Sequence, residues 1–302
     1  MIAKVVVAPV VPSPLAGKGQ GGGLSIFADY LSLTKPRILL LLLITELGTM
    51  IAAARGWPGT SLTLVALAGG AAAVNCWFDR DIDAVMARTC TRPIPSGRIA
   101  PANALVFGVG LSALGFVSLA LATNLLAAML ALAGGLFYVF VYTMWLKRST
   151  RQNIVIGGAA GAFPPLVGWA VVTGSITPPA LALFAVVFFW TPPHFWSLAL
   201  LLRRQYQEVG VPMLPVVATD AATRRSIVLY SVVLLLVSFV PTIWFGPIYA
   251  AGAMVLGAAF LWMAWRGLTA QGLRWASRLF HFSLAYLAAV FALAAVAGLL
   301  PH

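Results

Sequence analysis

Nine apolar runs divide the amino-acid sequence, and each is about as long as a helix that crosses a membrane. Such a helix needs about 20 mainly apolar residues to span the hydrocarbon core. The runs lie at residues 38–54, 61–78, 102–122, 125–145, 154–173, 179–202, 227–245, 248–265 and 279–300. Polar residues, glycine or proline separate them, as expected at helix ends. The pattern predicts an all-α, polytopic membrane protein built as a bundle of about nine transmembrane helices.

The composition agrees with this prediction and excludes a water-soluble globule. Of the 302 residues, 61% are hydrophobic and only 9% are charged, whereas a soluble domain is about 25% charged. The net charge is +12, but the basic residues lie between apolar runs. We therefore expect a lipid bilayer around the chain and no nucleic-acid partner. The two cysteines, Cys76 and Cys90, fit neither a disulfide framework nor a zinc-ligand spacing.

The positions of lysine and arginine predict the orientation, because positively charged loops stay on the cytoplasmic side. With the amino terminus inside, 18 of the 19 Lys and Arg residues fall in the tail or the inner loops, and only Arg55 falls outside. The carboxyl terminus would then be outside, in a multi-pass protein of the cytoplasmic (inner) membrane. Residues 1–25 carry several prolines and a glycine triplet. We expect them to form a flexible cytoplasmic tail before a single transmembrane domain at residues 26–302.

Three of the seven acidic residues fall within five positions at the inner end of the second predicted helix. Asn75, Asp79 and Asp83 are spaced i, i+4, i+8 and share one helix face, while Asp81 points elsewhere. Carboxylates stacked in this way repel each other, and a bound cation would remove the repulsion. Two carboxylates and an amide oxygen suit Mg²⁺, which prefers oxygen ligands. The alternative is that the aspartates only neutralise nearby arginines in a solvated loop.

Basic residues on the same side of the membrane favour a diphosphate ligand. Arginine can bind phosphate oxygens through two hydrogen bonds, while a metal ion bridges the phosphate to carboxylates. Any single arginine can also be explained as a positive-inside anchor. The basic residues in question are Arg80, Arg88, Arg92, Lys147 and Arg148.

The spacing Asn75-x-x-x-Asp79-x-x-x-Asp83 resembles the first aspartate-rich motif of the UbiA superfamily of intramembrane prenyltransferases. Other segments resemble the branch of that superfamily that acts on haem, and the resemblance covers roughly residues 30 to 290. These segments are residues 33–37, 75–93, 142–169, the string Trp-Thr-Pro-Pro-His-Phe-Trp at 190–196, and Tyr206 with 212–217. The family usually has an acidic residue immediately before the tyrosine that matches Tyr206. This chain has Gln205 there, and Glu208 in the same loop could replace it.

The resemblance implies transfer of a farnesyl group from farnesyl diphosphate to a vinyl group of haem B, which gives haem O. It implies that Mg²⁺ is the cofactor, held by Asn75, Asp79 and Asp83, and that the two aspartates, Lys147 and His194 act in catalysis. A haem A synthase that receives the hydrophobic product is a further expected partner. The resemblance also implies substrate contacts for Tyr142, Arg80, Arg88, Arg92, Arg148, Trp190, Trp196 and Tyr206. Two rivals stay open: a relative that prenylates a quinone or chlorin ring, and a transporter of haem or a small anion.

His194 lies in an apolar, aromatic-rich run directly after Pro192 and Pro193. An ionisable residue within a membrane is usually functional, and the two prolines predict a break or kink in the sixth helix. Three interpretations stay open: a residue that faces the haem, a proton-transfer residue, or a histidine hydrogen-bonded to a kinked backbone. Trp190 and Trp196 bracket it, but residues six apart do not share one helix face. Glu46 in the first helix is expected to face the bundle interior.

Overall fold

The computed structural model describes residues 23–56 and 64–300, and these residues form helices and no strands. A π-helical segment, Phe137–Leu146, joins the sixth and seventh helices into one continuous element. The helices are α1 Gly23–Leu33, α2 Pro36–Ala54, α3 Leu64–Phe78, α4 Arg80–Val85, α5 Pro101–Ala122, α6 Leu125–Leu136, α7 Lys147–Ser149, α8 Asn153–Thr173, α9 Pro178–Leu201, α10 Arg203–Glu208, α11 Leu214–Val217, α12 Asp220–Phe239, α13 Thr242–Arg266 and α14 Arg274–Leu299. The predicted all-α class is confirmed.

Eight elements in the described part of the chain are long and apolar enough to cross a membrane. They are α2, α5, the continuous element Leu125–Ser149, α8, α9, α12, α13 and α14. The remaining predicted span, residues 61–78, begins outside the described residues, and its described part is the 15-residue α3. The predicted tail also lies outside them, except for its last three residues, which begin α1.

The predicted helix boundaries differ from the structure most clearly at the seventh predicted span. The run predicted at 227–245 begins earlier, at Asp220, because the Thr219 side chain caps α12 by accepting a hydrogen bond from the Ala222 amide at 3.2 Å. The same helix ends at Phe239, just before Pro241, which has no amide hydrogen to continue it. Gly246, predicted to lie between two helices, instead kinks α13 with a φ of 71°.

The prolines in the sixth predicted span do not break it. α9 runs as one helix from Pro178 to Leu201 and includes both Pro192 and Pro193. The side chain of Thr191 donates to the Val187 carbonyl at 2.8 Å. Pro192 and Pro193 lack the amide hydrogens that would bond the carbonyls of residues 188 and 189, yet the helix continues through both positions.

Paired glycines let neighbouring helices approach closely. A Cβ added at Gly70 would lie 2.6 Å from the Gly108 carbonyl oxygen of α5. On α8, a Cβ at Gly157 would lie 2.3 Å from the ring of Tyr142, and one at Gly158 would lie 2.9 Å from the side chain of Thr191. These contacts hold α8 directly against the π-helical segment and α9.

Short helices gather at the end of the bundle where α3 and α9 terminate. Ile82 and Met86 from the α4 region pack with Ala199 of α9 and with Val211 and Met213 from the loop before α11. These buried side chains form one apolar cluster. It fixes the chain that follows α3 against the chain that follows α9, and so positions the polar groups of both segments.

Candidate active site

The predicted aspartate face forms at the end of α3. The Asp79 amide donates to the Asn75 carbonyl at 2.9 Å, and the Asp83 amide donates to the Asp79 carbonyl at 2.8 Å, so the three residues follow one helical face. All three are buried, with 3–4% of their surface exposed. Their burial argues against the alternative of a solvated acidic loop, because buried carboxylates need cations or hydrogen-bond donors.

Cations from other segments reach both carboxylates. Lys147 Nζ lies 2.5 Å from Asp79 Oδ2, and Arg148 Nη2 lies 3.5 Å from Asp79 Oδ1. Arg92 Nη1 lies 2.6 Å from Asp83 Oδ2. Three of the predicted site cations are therefore brought to the predicted aspartates. Charge-assisted pairs of this kind are strong when they are partly buried.

Asn75 links α3 to the start of α2 and to the π-helical segment. Its Oδ1 accepts a hydrogen bond from Lys35 Nζ. Its Nδ2 donates to Asp79 Oδ2 at 2.8 Å and to Thr143 Oγ1 at 2.9 Å. Lys35 Nζ also lies 3.4 Å from the hydroxyl of Tyr138. This network orients the amide with its oxygen toward the ammonium of Lys35 and its nitrogen toward Asp79 and Thr143.

The π-helical segment places the residues that face α3. Thr143 Oγ1 donates to the Tyr138 carbonyl at 2.8 Å, a bond across five residues. The rings of Tyr138 and Tyr142 stack with centroids 5.8 Å apart, and Tyr142 packs over Gly157. Departures from α-helical geometry of this kind are frequent at functional sites.

The exposed Asp81 has a different role from its neighbours. Arg148 binds it through two hydrogen bonds of 2.7 and 2.8 Å. These bonds hold the pKa of Asp81 below its ordinary value, so the pair stays ionised at neutral pH. Asp81 and Arg148 line a surface cavity of about 320 Å³ with Trp77, Phe78 and Arg80. Arg80 stacks over Trp77 at 5.1 Å and contacts neither buried aspartate.

The loop after α9 brings Tyr206 to the other side of the site. Burial raises the pKa of the Tyr206 hydroxyl, although the nearby charge of Arg88 opposes the shift, and the hydroxyl stays neutral. Glu208, the candidate replacement for an acidic residue at 205, pairs with Arg204 at 3.0 Å on the surface. Gln205 Oε1 is buried without a hydrogen-bond donor among the described residues.

His194 lies in a separate aromatic cluster between α9 and α14. It is 6% exposed, and its Nδ1 lies 2.6 Å from Ser283 Oγ. The Trp190 ring stacks on the imidazole with centroids 4.2 Å apart. Trp196 is not part of this cluster, because its ring packs at 5.1 Å on Tyr230 of α12. The hydrogen-bonding partner of the His194 ring is therefore the Ser283 side chain and not the backbone contact considered from the sequence.

The buried aspartates form a small donor set for a metal ion. In residues 23–56 and 64–300, no group of three or more His, Cys, Asp or Glu side chains is arranged to hold a metal. Mg²⁺ is commonly held by one or two carboxylates together with substrate phosphates. Asp79 Oδ1 is buried and accepts no hydrogen bond from the described residues, and Arg148 Nη2 is its cationic neighbour at 3.5 Å. The residues therefore fit Mg²⁺ shared with a phosphorylated substrate.

Several residues of the site were not among the predicted ones. Lys35 lies in a segment that carried the resemblance, but its contact with Asn75 depends on the pairing of α2 with α3. Tyr138 lies one turn before Tyr142, and that spacing could have indicated it. Thr143 also lies in a segment that carried the resemblance, but its contact with Asn75 depends on the π-helical geometry. Ser283 carries no signal in the sequence, because its role depends on the packing of α14.

The fold and the site define a class of protein, an intramembrane prenyltransferase. The chain matches the model of the UbiA prenyltransferase family over residues 41–287, and it belongs to that family.

Individual relatives show which kind of family member the chain is similar to. The chain is 54% identical over 247 residues to the "Protoheme IX farnesyltransferase" of Acidiphilium cryptum, covering 80% of this chain and 78% of that protein. It is 54% identical over 278 residues to the protein of the same name from Symbiobacterium thermophilum, covering 88% and 92%. The chain spans about half the length of some other relatives with that name, for example 52% of the protein from Roseiflexus sp..

Solved structures share the fold at low sequence identity. A UbiA homolog from Archaeoglobus fulgidus bound to GPP and Mg²⁺ superposes with a TM-score of 0.64 at 17% identity, covering 88% of this chain and 99% of that one. This likeness supports the helical architecture described above.

Proposed function

We propose that this chain transfers the farnesyl group of farnesyl diphosphate to a vinyl group of haem B and so produces haem O. The observation that carries the proposal is the convergence of Lys35, Lys147 and Arg92 on the buried face of Asn75, Asp79 and Asp83. Such a site suits a diphosphate with its metal ion. The names of the relatives support haem as the acceptor and farnesyl as the donor group.

The chain's own residues would bind and neutralise the diphosphate. Mg²⁺ held by Asn75, Asp79 and Asp83 would supply positive charge to the diphosphate oxygens. Lys147, Arg92 and Arg148 now pair with aspartates. When the diphosphate is bound, they would stabilise the negative charge that develops as the bond between farnesyl C1 and oxygen breaks.

The carbon chemistry then requires a dry pocket. The vinyl group of the haem attacks farnesyl C1, and the new carbon–carbon bond leaves a cation on the carbon next to the porphyrin. Water adds to that carbon and loses a proton, which gives the hydroxyl group of haem O. Tyr138 and Tyr142 border the diphosphate site, and their rings would exclude water from the allylic cation before the vinyl group reacts.

The proposal includes the location and the partners of the protein. The site would face the cytoplasm from the inner membrane, with the amino terminus inside and the carboxyl terminus outside. Farnesyl diphosphate would enter with its apolar chain in the bilayer. Haem O is hydrophobic, and a haem A synthase would receive it from the membrane.

The test is product analysis with purified protein in lipid nanodiscs. Incubation with haem B, farnesyl diphosphate and Mg²⁺ should give a farnesylated, hydrated haem by mass spectrometry, and a chelator should abolish it. Folded protein that binds haem but forms no such product would contradict the proposal. Product with a quinone or chlorin ring instead, or movement of haem across the bilayer without covalent change, would identify a rival function.

Two matched variants test the assignment of Asp83 to the site. Asp83→Asn should lower turnover by about 100-fold or more, because it removes a charge that binds the metal and Arg92. Asp220→Asn removes a carboxylate that is 51% exposed and pairs with Arg203 on the surface, and it should leave turnover unchanged. Equal activity of both variants would remove Asp83 from the site.

A further inference from the structure

His194 is enclosed on both faces of its ring. Trp190 stacks on one side with centroids 4.2 Å apart, and Phe280 of α14 stacks at 4.8 Å. Phe195 contacts the ring edge-on at 5.0 Å. A planar substrate cannot stack on an imidazole that is already sandwiched in this way. Any substrate contact of His194 must therefore be made through a ring nitrogen.

Ser283 fixes which ring nitrogen carries the hydrogen. Ser283 Oγ lies 2.6 Å from the Phe280 carbonyl oxygen and 2.6 Å from His194 Nδ1. A carbonyl oxygen can only accept, so the single hydroxyl hydrogen of Ser283 is donated to it. Nδ1 must then be the donor to Oγ, and Nε2 carries a free lone pair. Trp190 Nε1 donates to the Ser283 carbonyl at 2.8 Å and holds the serine in place.

The surroundings favour a neutral imidazole with a free Nε2. In the described part of the chain, no carboxylate pairs with His194, and the hydrogen-bonding contact of its ring is the one between Nδ1 and Ser283 Oγ. A protonated, positively charged ring at this buried position would lack a counter-charge, which is costly. Binding of a metal ion uses the neutral form of histidine. These conditions suit a ligand to iron better than a proton acceptor.

The position is also close to the diphosphate site. Phe195, which contacts the His194 ring, packs in the same apolar cluster as Ile82 and Met86 on the α4 side. Thr191, one turn before His194, packs on Gly158 beside Tyr142 of the π-helical segment. A porphyrin held at His194 would therefore lie next to the site where the farnesyl group is released.

We propose that His194 binds the iron of the haem substrate through Nε2, and that Ser283 is a positioning residue that holds the histidine in the required tautomer. The proposal deepens the proposed function and rests on haem as the substrate. A hydrogen bond from Nδ1 raises the basicity of the opposite nitrogen and orients the ring, and losing such a partner typically weakens metal binding by about 10- to 100-fold.

The experiment is a haem titration without farnesyl diphosphate, on the full chain in nanodiscs. Wild-type protein should show the absorption and electron paramagnetic resonance spectra of ferric haem with a nitrogen axial ligand. His194→Ala should lose this spectrum, and added imidazole should restore it. Ser283→Ala should weaken haem binding by about tenfold or more. It should also lower the iron–histidine stretching frequency of the ferrous form in resonance Raman spectra.

Ser231→Ala is the matched control. Ser231 is also buried, and its hydroxyl donates to the Ile227 carbonyl at 2.7 Å, but it contacts no histidine. It should bind haem as wild type does. If Ser283→Ala does not fold, Ser283→Cys provides a weaker acceptor and should shift affinity and stretching frequency in the same direction.

The outcomes separate this inference from the proposed function. A wild-type haem spectrum in His194→Ala overturns iron ligation, and a Ser283→Ala variant that matches Ser231→Ala overturns the positioning role. Farnesyl transfer by wild-type protein without a nitrogen-ligand spectrum overturns the inference and leaves the proposed function intact. Nitrogen-ligated haem with no transfer contradicts the proposed function alone.

Discussion

Asp79 is the residue through which most of the site is connected. It accepts from Asn75 at 2.8 Å and from Lys147 at 2.5 Å, with Arg148 at 3.5 Å. Lys147→Met should therefore lower turnover by about 100-fold, because it removes a cation placed to neutralise the departing diphosphate. It should also lower the thermal midpoint, because a buried carboxylate loses its partner. Steady-state kinetics and thermal unfolding in detergent measure both effects.

Arg98→Met is the control for this variant. Arg98 pairs with Asp29 at 3.0 Å on the exposed surface, and it forms no ion pair with the buried aspartates. Surface pairs contribute at most about 1 kcal/mol, so turnover and thermal midpoint should stay close to wild type. If Arg98→Met impairs turnover as strongly as Lys147→Met, the effect would reflect general loss of positive charge and not neutralisation at Asp79.

At the scale of elements, α8 sets the distance between the π-helical segment and α9. Gly157→Ala would place a Cβ 2.3 Å from the Tyr142 ring, so the ring must move and the site must widen. Overpacking of this kind costs about 1–3 kcal/mol, and we expect reduced activity with a lower thermal midpoint. Gly161→Ala on the same helix meets nothing within 4 Å and should be neutral or stabilising, since alanine favours helices. Equal effects of the two variants would show that close approach at Gly157 does not matter.

The packing of helices against each other also limits what can be predicted from the sequence. Helical spacing was enough to place Asn75, Asp79 and Asp83 on one face, because that relation is local. Charge distribution was enough to bring Lys147 and Arg92 to the same end of the bundle. The π-helical register of Thr143 and the contact between Ser283 and His194 depend on how distant helices pack, and no local pattern encodes them.

The whole molecule brings the start of α2, the end of α3 and the end of the element Leu125–Ser149 to one end of the bundle. Lys35, Asp79 and Lys147 meet there through Asn75 and the ion pair of 2.5 Å. A chain that leaves this end with α2 and returns to it with α3 must cross the bundle twice. The described 15 residues of α3 make the return to this end of the bundle.

The same geometry makes the orientation testable with the two native cysteines. Cys90 is exposed in the loop after α4, beside the aspartates, while Cys76 is buried in α3. A membrane-impermeant maleimide should label Cys90 in inside-out vesicles and not in intact cells, because the site is proposed to face the cytoplasm. In a Cys90→Ser background, Arg55→Cys at the opposite end of α2 should give the reverse pattern, and the background alone should not react. If Cys90 is labelled from outside the cell, the orientation of the protein is opposite to the proposed one. The diphosphate site would then lie on the side of the membrane away from cytoplasmic farnesyl diphosphate.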